Sequence, residues 1–186
     1  MPAAIPVLLI TGPVGVGKTT VALEVSTLLE RAVVPHACVD MDSLRWCYPS
    51  PPHDPFRVAL GLQNLAAVWA NCQAAGAERL VLASVVESRD ELAGYQAAVP
   101  GAAILVVRLR APVATLTDRV ARREVGAGHE WHLRRAAELA AQMDRDRVED
   151  IVVETEGRSA PAVAREVLAR SAWGDVPEEP ALNAVK

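Results

Sequence analysis

The stretch LLITGPVGVGKTT, residues 8–20, passes from an apolar run into a glycine-rich turn. The apolar run 5–10 is bounded by proline and glycine, which predicts a buried parallel strand. Hydrophobic residues recur at helical spacing over 19–31, which predicts a helix after the turn. From Gly12 to Thr19 the turn fits the pattern G-x-x-x-x-G-K-[ST], and this pattern between a strand and a helix predicts a phosphate-binding loop.

The spacing of the glycine-rich turn suits a polyphosphate. Glycines let backbone amides converge on phosphate oxygens, and the start of the following helix adds its dipole. We expect Lys18 to reach the β- and γ-phosphates of a purine triphosphate as a catalytic cation, and the Thr19 hydroxyl to complete the ligands of Mg²⁺. ATP and Mg²⁺ are therefore the expected cofactors. The predicted nucleotide-binding residues of the turn are Gly12, Pro13, Val14, Gly15, Val16, Gly17, Lys18, Thr19 and Thr20.

The rest of the chain alternates short β-like runs with longer helical stretches. The further predicted strands are 37–40, 79–86, 103–109 and 151–155, and the further predicted helices are 57–75, 115–124, 132–145 and one from about 161 to 172. Strands separated by helices predict a three-layer α/β fold, with a parallel sheet between two layers of helices. We expect one P-loop domain over residues 1–173, followed by a disordered tail over the polar, proline-rich residues 174–186.

Composition narrows the function classes. A chain of 186 residues with 51% hydrophobic and 23% charged residues predicts one globular domain. The net charge of −4 argues against a nucleic-acid partner. No apolar run approaches the roughly 20 residues that span a bilayer, so no membrane association is expected. Cys38, Cys47 and Cys72 lack metal-ligand spacing, which predicts reduced thiols in a cytoplasmic protein.

The acidic residues depart from the pattern of a hydrolytic motor. Proteins of that class usually carry an Asp at the end of a further core strand, where it holds Mg²⁺. Here the predicted strand 79–86 offers Ser84 at that place, and Glu87 comes later. The acids stand instead in VDMDSLR, residues 39–45, directly after the short second strand.

Asp40 and Asp42 lie two residues apart, so on an extended chain both side chains point to one face. We expect their strand to lie beside the strand of the glycine-rich turn, which would bring both carboxylates near the γ-phosphate. Asp40 could then hold Mg²⁺ together with Thr19, and Asp42 could accept the proton of an attacking hydroxyl. The alternative is a polar strand end, with an Asp capping a helix that starts near Ser43.

At these residues a family resemblance becomes visible. The sequence resembles the small P-loop kinases related to nucleoside-monophosphate kinases, a superfamily that includes adenylylsulfate, shikimate and gluconate kinases and chloramphenicol phosphotransferase. The resemblance implies a nucleotide-kinase-like fold with a short lid. VDMDSLR resembles the adenylylsulfate kinase pattern D-G-D-N-x-R at Asp40, Asp42 and Arg45, and its DSL resembles the catalytic Asp segment of chloramphenicol phosphotransferase. The lysine-rich lid of the first and the Gly-Gly-Gly loop of shikimate kinases are missing.

A second part of the resemblance lies in LTDRVARRE, residues 116–124. It resembles the helix that brings arginines to the nucleotide in these kinases. The resemblance implies that Arg119 stacks on adenine and that Arg123 is a catalytic cation at the phosphates. The alternative for both is a solvated basic surface. TEGRSAP, after the last predicted strand, resembles the loop at the adenine edge and adds Arg158 to the predicted nucleotide site.

The segment GAGHEWH, residues 126–132, resembles a short mobile lid with Gly126 and Gly128 as hinges. Its acidic and histidine residues do not have the H-E-x-x-H spacing, so we expect no metal site there.

The residues between 42 and 78 bear on the acceptor. Arginine is their only cationic residue type apart from histidine, whereas a nucleotide acceptor needs cationic clamps. Trp69 is expected in the core, but the proline-rich loop 46–56 carries three further aromatic residues. An aromatic, cation-poor pocket suits a neutral or partly apolar hydroxyl compound, although a surface loop stapled by aromatics is the alternative. The predicted substrate-binding residues are Asp42, Arg45, Trp46, Tyr48, Phe56 and Arg89.

The function we expect is transfer of the γ-phosphate of ATP to a hydroxyl of a small organic molecule, such as a natural product or antibiotic. One alternative is an adenylylsulfate or nucleoside-monophosphate kinase. Another is an ATPase or nucleotide-dependent switch that has no small-molecule acceptor. The sequence leaves the oligomeric state open.

Overall fold

A computed structural model describes residues 4–123, 129–171 and 173 of the chain. Its five strands are β1 (Ile5–Thr11), β2 (Ala37–Asp40), β3 (Leu80–Ala83), β4 (Ala102–Arg110) and β5 (Ile151–Glu154). All neighbouring strands are parallel, in the order β2-β3-β1-β4-β5. The α-helices of the described residues are α1 (Lys18–Arg31), α2 (Val58–Ala74), α3 (Leu92–Ala98), α4 (Val113–Arg123), α5 (His129–Asp146) and α6 (Ala160–Arg170).

The sheet lies between two hydrophobic clusters, which confirms the predicted three-layer α/β fold. Successive residues of β1 point to opposite faces, as the pleat of a strand requires. Leu8 and Ile10 pack against α1 and α6, while Val7 and Leu9 pack against α2 and α3. Trp69 of α2 is 3% exposed, so the prediction that it belongs to the core is confirmed.

The position of β2 corrects one expectation. We expected β2 beside β1, but β3 lies between them and pairs with both: Leu82 is in register with Leu9 on one side and with Val39 on the other. The physical reason is burial, because all four residues of β3 are buried, as suits a central strand, whereas β2 is buried only at alternate residues.

The conformation of Asp42 corrects a second expectation. β2 ends at Asp40, and Asp42 has helical angles of φ −64° and ψ −36° at the start of a 3₁₀ turn, Ser43–Arg45. The two carboxylates therefore do not share one face of an extended strand. The capping alternative is wrong for Asp42 as well, because its side chain makes no capping hydrogen bond to that turn.

The segment after β3 differs from the prediction, because β3 ends at Ala83 rather than at residue 86. The backbone then leaves the sheet, and the Val86 amide donates to the hydroxyl of the buried Thr11 at 3.0 Å. Ser88 and Glu91 form a capping box at the 3₁₀ turn that leads into α3, a helix that we did not predict.

Several predictions fall on residues that the structure does not describe. They are the lid with Gly126 and Gly128 and the tail 174–186. The side chain of Arg123 also lies outside the described residues. Within the described residues, no helix has the length and apolar character needed to cross a bilayer.

Candidate nucleotide and acceptor site

The glycine-rich turn connects β1 to α1, and two of its glycines are pressed against the fold. A Cβ atom at Gly12 would lie 2.6 Å from the carbonyl oxygen of Leu109, and one at Gly15 would lie 2.8 Å from that of Leu116. Gly17 differs, because a Cβ there would meet nothing within 4 Å. Its φ of 100° is nevertheless in the left-handed region that favours glycine. The turn thus packs on β4 and α4 and is open where α1 begins.

The start of α1 has the character of an anion-binding site. Its first turn contains no acidic residue, and the residue before it, Gly17, has no side chain that could cap the first N–H groups. The Lys18 ammonium donates to the carbonyl oxygens of Gly12 at 3.0 Å and of Pro13 at 3.2 Å. The cation is therefore held over the turn that we expect to bind the phosphates.

One hydrogen bond joins the turn to the acidic segment after β2. The Thr19 hydroxyl donates to Asp40 Oδ2 at 2.6 Å, and the Asp42 amide donates to Asp40 Oδ1 at 2.9 Å. Although β3 separates the two strands, Asp40 still reaches α1, and it also fixes the backbone of Asp42. The two residues predicted to hold Mg²⁺ are thus in direct contact, and their metal role stays a prediction.

A hydroxyl and a carboxylate side by side suit a hard cation such as Mg²⁺, which binds oxygen ligands and keeps several waters. The described residues contain no group of three or more His, Cys, Asp or Glu that could hold a metal alone. This donor set fits a metal that is shared with the phosphates of a nucleotide.

A cavity of about 290 Å³ opens beside the turn, near the lower end of the size range of ligand pockets. Its walls are the turn, the first residues of α1, one residue of α4, the loop after β5 and the start of α6. The lining residues are Gly15, Val16, Gly17, Thr20, Val21, Arg119, Thr155, Arg158, Ala160 and Val163.

Two predicted arginines line this cavity, and Arg119 bridges its walls. The Arg119 guanidinium donates to the carbonyl oxygen of Val16 at 3.3 Å and to the hydroxyl of the buried Thr155 at 3.1 Å. Arg158 belongs to the loop after β5, and its guanidinium donates to the carbonyl oxygens of Glu154 at 3.0 Å and Ala162 at 3.3 Å. Both guanidinium groups are therefore held by the chain's own backbone. Arg122, on the same helix as Arg119, is exposed and pairs with Asp118.

The predicted aromatic residues of the acceptor loop point away from the core. Trp46 is 88%, Tyr48 96% and Phe56 72% exposed. The loop is nevertheless anchored: Arg57 donates to the carbonyl oxygen of Cys47 at 2.8 Å, and Asp54 accepts from the amide of Val58 at 2.7 Å. The aromatic side chains therefore do not staple this loop to the core, although its two ends are fixed.

Arg45 lies where the acidic segment meets α2. A Cβ atom at Gly61 of α2 would lie 2.9 Å from Arg45 Cγ, so this glycine leaves room for the arginine stem. The Nε atom of Arg45 is buried and has no hydrogen-bond partner within the described part of the chain.

Sequence reasoning missed a buried pair of hydroxyl groups near Arg45. Ser84, directly after β3, and Tyr95 of α3 are joined at 2.7 Å. Burial raises the pKa of the Tyr95 hydroxyl. The hydrogen bond with Ser84 and the charge of Arg45 offset part of this shift, and the charges of Glu91 and Asp42 add to it. The readable signal for α3 was its capping box, S-x-x-E at residues 88–91.

No family model matches the chain, and no curated protein matches it. Solved structures do resemble it. A gluconokinase from Sinorhizobium meliloti has 20% identity and a TM-score of 0.58 over 92% of this chain and 94% of its own. A tunicamycin resistance protein from Deinococcus radiodurans has 18% identity and a TM-score of 0.63 over 89% and 95%. A shikimate kinase from Acinetobacter baumannii, in complex with shikimate, has 22% identity and a TM-score of 0.58 over 93% and 96%. The chain has the fold of the P-loop kinases.

Within this P-loop kinase fold, two ion pairs connect the loop after β3 to elements near the end of the chain. Arg89, predicted to bind the acceptor, pairs with Asp150 just before β5, and Asp150 also accepts from the Val106 amide at 2.9 Å. Glu87 pairs with Arg135 of α5. The role of Arg89 at the acceptor stays a prediction, and acceptor contact would compete with its bond to Asp150.

Proposed function

We propose that this protein is an ATP- and Mg²⁺-dependent phosphotransferase that moves the γ-phosphate of ATP to a hydroxyl of a small organic molecule. The observation that carries the proposal is the Thr19–Asp40 hydrogen bond of 2.6 Å, which joins the glycine-rich turn to the acidic segment. The fold supports it, because two of the similar structures are a gluconokinase and a shikimate kinase.

On the nucleotide side, each group has a distinct part. The glycine-rich turn and Lys18 would bind the phosphates, and Arg119 and Arg158 would form walls around the base. Thr19 and Asp40 would hold Mg²⁺, which offsets negative charge on the phosphates when it is bound. Arg123 at the phosphates remains a prediction from the family resemblance.

On the acceptor side, Asp42 is the proposed proton acceptor. The acceptor hydroxyl oxygen attacks the γ-phosphorus, and the bond from that phosphorus to the bridging oxygen of ADP breaks. The hydroxyl proton passes to the Asp42 carboxylate and from there to water. Asp42 is exposed, so its carboxylate is accessible, and its backbone amide is bonded to Asp40. Because the transition state of phosphoryl transfer is loose, Asp42 needs to take the proton only late.

The acceptor loop supports a partly apolar acceptor. Trp46, Tyr48 and Phe56 offer exposed aromatic surface, and the half-buried Arg45 offers a cationic side chain. A compound with an apolar body and a polar group would engage both. The resemblance to a structure named a tunicamycin resistance protein supports a natural product as the acceptor class.

The test is ADP release, measured with and without panels of alcohols, sugars, natural products, adenylylsulfate and nucleoside monophosphates. We expect release that depends on a non-nucleotide hydroxyl compound. Dependence on adenylylsulfate or a monophosphate would favour the nucleotide alternatives. Full release without any acceptor would favour an ATPase or switch.

A metal test accompanies the acceptor screen. Asp40→Asn should lower transfer, and added Mg²⁺ should partly restore it, since the variant keeps the side-chain size but loses the charge beside Thr19. Asp118→Asn, at an exposed residue of α4 that pairs with Arg122, serves as the matched control and should show no Mg²⁺ dependence of this kind. A loss in Asp40→Asn that Mg²⁺ does not relieve would contradict the metal role.

A further inference from the structure

The outer wall of the nucleotide cavity is held by a chain of charged groups. Glu166 of α6 accepts from Arg158, whose guanidinium lines the cavity, at 2.5 Å between Oε2 and Nη1. Its other oxygen, Oε1, accepts from Arg170 at 3.2 Å. Arg170 in turn donates to the carbonyl oxygen of Val152 in β5. The Glu166 carboxylate therefore bridges two guanidinium groups, both of which also bind the backbone of β5.

Glu166 itself does not line the cavity, whereas Arg158 does. Among the residues that the structure describes, the guanidinium of Arg158 has three acceptors: Glu166 and the carbonyl oxygens of Glu154 and Ala162. Of these, Glu166 is the only side chain and the only charged group. An arginine side chain otherwise has several rotatable bonds, and immobilising such a side chain on binding costs conformational entropy. A carboxylate that fixes it beforehand removes part of that cost.

We propose that Glu166 is a positioning residue of the nucleotide site: it holds the Arg158 guanidinium as the wall against which the base of the bound nucleotide packs. This inference rests on the nucleotide site of the proposed function and adds a residue to it that does not touch the ligand. It concerns the base end of the nucleotide and not the phosphates, which lie at the turn and Lys18.

The charge state of Glu166 agrees with this role. Its hydrogen bond from Arg158 lowers the pKa of the Glu166 carboxyl, and the bond from Arg170 adds to the effect. The carboxylate is therefore ionised at neutral pH, and its bond to Arg158 is charge-assisted. A competing explanation is that the pair merely braces α6 against β5, so the experiment has to separate positioning from bracing.

Two ligands make this separation. ATP and inorganic tripolyphosphate share the phosphates, but only ATP carries a base. Calorimetric titration of Glu166→Gln with each, in the presence of Mg²⁺, should show weaker ATP binding and unchanged tripolyphosphate binding. Because both side chains are about one-third exposed, we expect a loss of only about two- to fivefold for ATP. The matched control, Glu30→Gln at an exposed residue of α1, should change neither affinity.

A double-mutant cycle tests whether Glu166 acts through Arg158. Arg158→Ala should weaken ATP binding at least as much, and Glu166→Gln added to it should have no further effect. The proposal is overturned by equal losses for ATP and tripolyphosphate, by an ATP affinity that does not change, or by effects of the two substitutions that add.

These outcomes are independent of phosphate transfer. If wild-type protein binds ATP but phosphorylates no acceptor, the proposed function fails while the Glu166 result still stands. If wild-type protein binds tripolyphosphate and ATP equally well, the base wall itself is wrong, and the inference fails even if transfer is found.

Discussion

The two sides of the site differ in how far the protein fixes them. On the nucleotide side, Lys18, Arg119 and Arg158 all donate to backbone carbonyl oxygens. On the acceptor side, the aromatic residues of the loop 46–56 are exposed, although the loop is anchored by Arg57. The difference indicates that the fold itself holds the residues proposed to bind the nucleotide. Under the proposed function, the choice of acceptor falls to the loop 46–56, whose aromatic side chains are exposed.

The largest loss of activity should come from a substitution on the nucleotide side. Lys18→Ala should lower phosphate transfer by about 10³-fold or more, because the phosphates lose their main side-chain cation. Its melting temperature should stay near that of wild type, since the Lys18 side chain packs in neither hydrophobic cluster. The measurements are a coupled ADP assay and thermal unfolding. Near-normal turnover would show that the glycine-rich turn does not bind the transferred phosphate.

The thiols of Cys38 and Cys47 allow a half-buried and an exposed part of the molecule to be compared directly. Cys38 of β2 is half-buried at the edge of the core, and burial, helped by the charge of Asp40, raises its pKa from 9.0 to about 11. Its reactive thiolate should therefore be about a hundredfold scarcer at pH 8 than that of an ordinary thiol. Cys47, exposed in the acceptor loop, should be alkylated first. Mass spectrometry with iodoacetamide checks the order, with Cys38→Ser as the control, and equal rates would contradict the difference.

The raised pKa of Cys38 also predicts that the stability of the protein depends on pH. The folded-state pKa of Cys38 lies above the unfolded value of 9.0, so its contribution to the free energy of unfolding is fully present below pH 9.0. It is lost as the pH rises toward about 11. Cys38→Ser should lessen the loss of stability over this interval.

A smaller effect is expected from the α4 wall of the nucleotide cavity. Arg119→Ala should weaken ATP binding by about tenfold, because the turn and the loop after β5 lose their shared donor. By contrast, Arg123→Ala should lower kcat more than ATP affinity. Arg122→Ala, on the exposed face of the same helix, is the control and should leave both unchanged. Exchanged phenotypes of Arg119→Ala and Arg123→Ala would mean that their roles are reversed.

The smallest effect on activity should come from a substitution in the exposed loop 46–56 on the acceptor side. Trp46→Ala should raise the KM for the acceptor by about two- to tenfold, the range of an aromatic contact, with no change in ATP affinity. It should shift stability by no more than about 0.5 kcal/mol. Trp69→Ala removes the same side chain from the core and should cost about 3–5 kcal/mol. If Trp46→Ala destabilised the fold as Trp69→Ala does, the loop would be an aromatic staple instead.

Local patterns predicted most of the fold and the nucleotide turn. The turn needs only a short motif between a strand and a helix, so Gly12 to Thr19 could be read without any knowledge of distant contacts. The helices α1 and α2 show their apolar spacing in the sequence. Arg119 and Arg158, which line the cavity, were predicted from the family resemblance, which adds information that periodicity does not contain.

What the sequence analysis missed depends on contacts between distant segments. The place of β3 between β1 and β2 follows from burial on both faces, which a four-residue apolar run does not reveal. The Ser84–Tyr95 pair needs α3 to pack beside the end of β3, and the Arg89–Asp150 pair joins residues that are 61 positions apart. Asp42 was misplaced because the chain turns directly after β2, where an extended continuation was assumed.

The central claim is that Asp42 accepts the proton of the acceptor hydroxyl as that hydroxyl attacks the γ-phosphate of ATP. Asp42→Asn keeps the size of the side chain but removes its basicity, and neither Lys18 nor Arg119 is touched. The decisive measurement is transfer to an acceptor found in the screen, with ATP affinity followed by calorimetry on the same protein. We predict unchanged ATP affinity and a loss of transfer of about 10²–10⁴-fold, nearer the lower end because the proton leaves late. Full activity in Asp42→Asn would contradict the assignment and would make Glu87 the next acid to test.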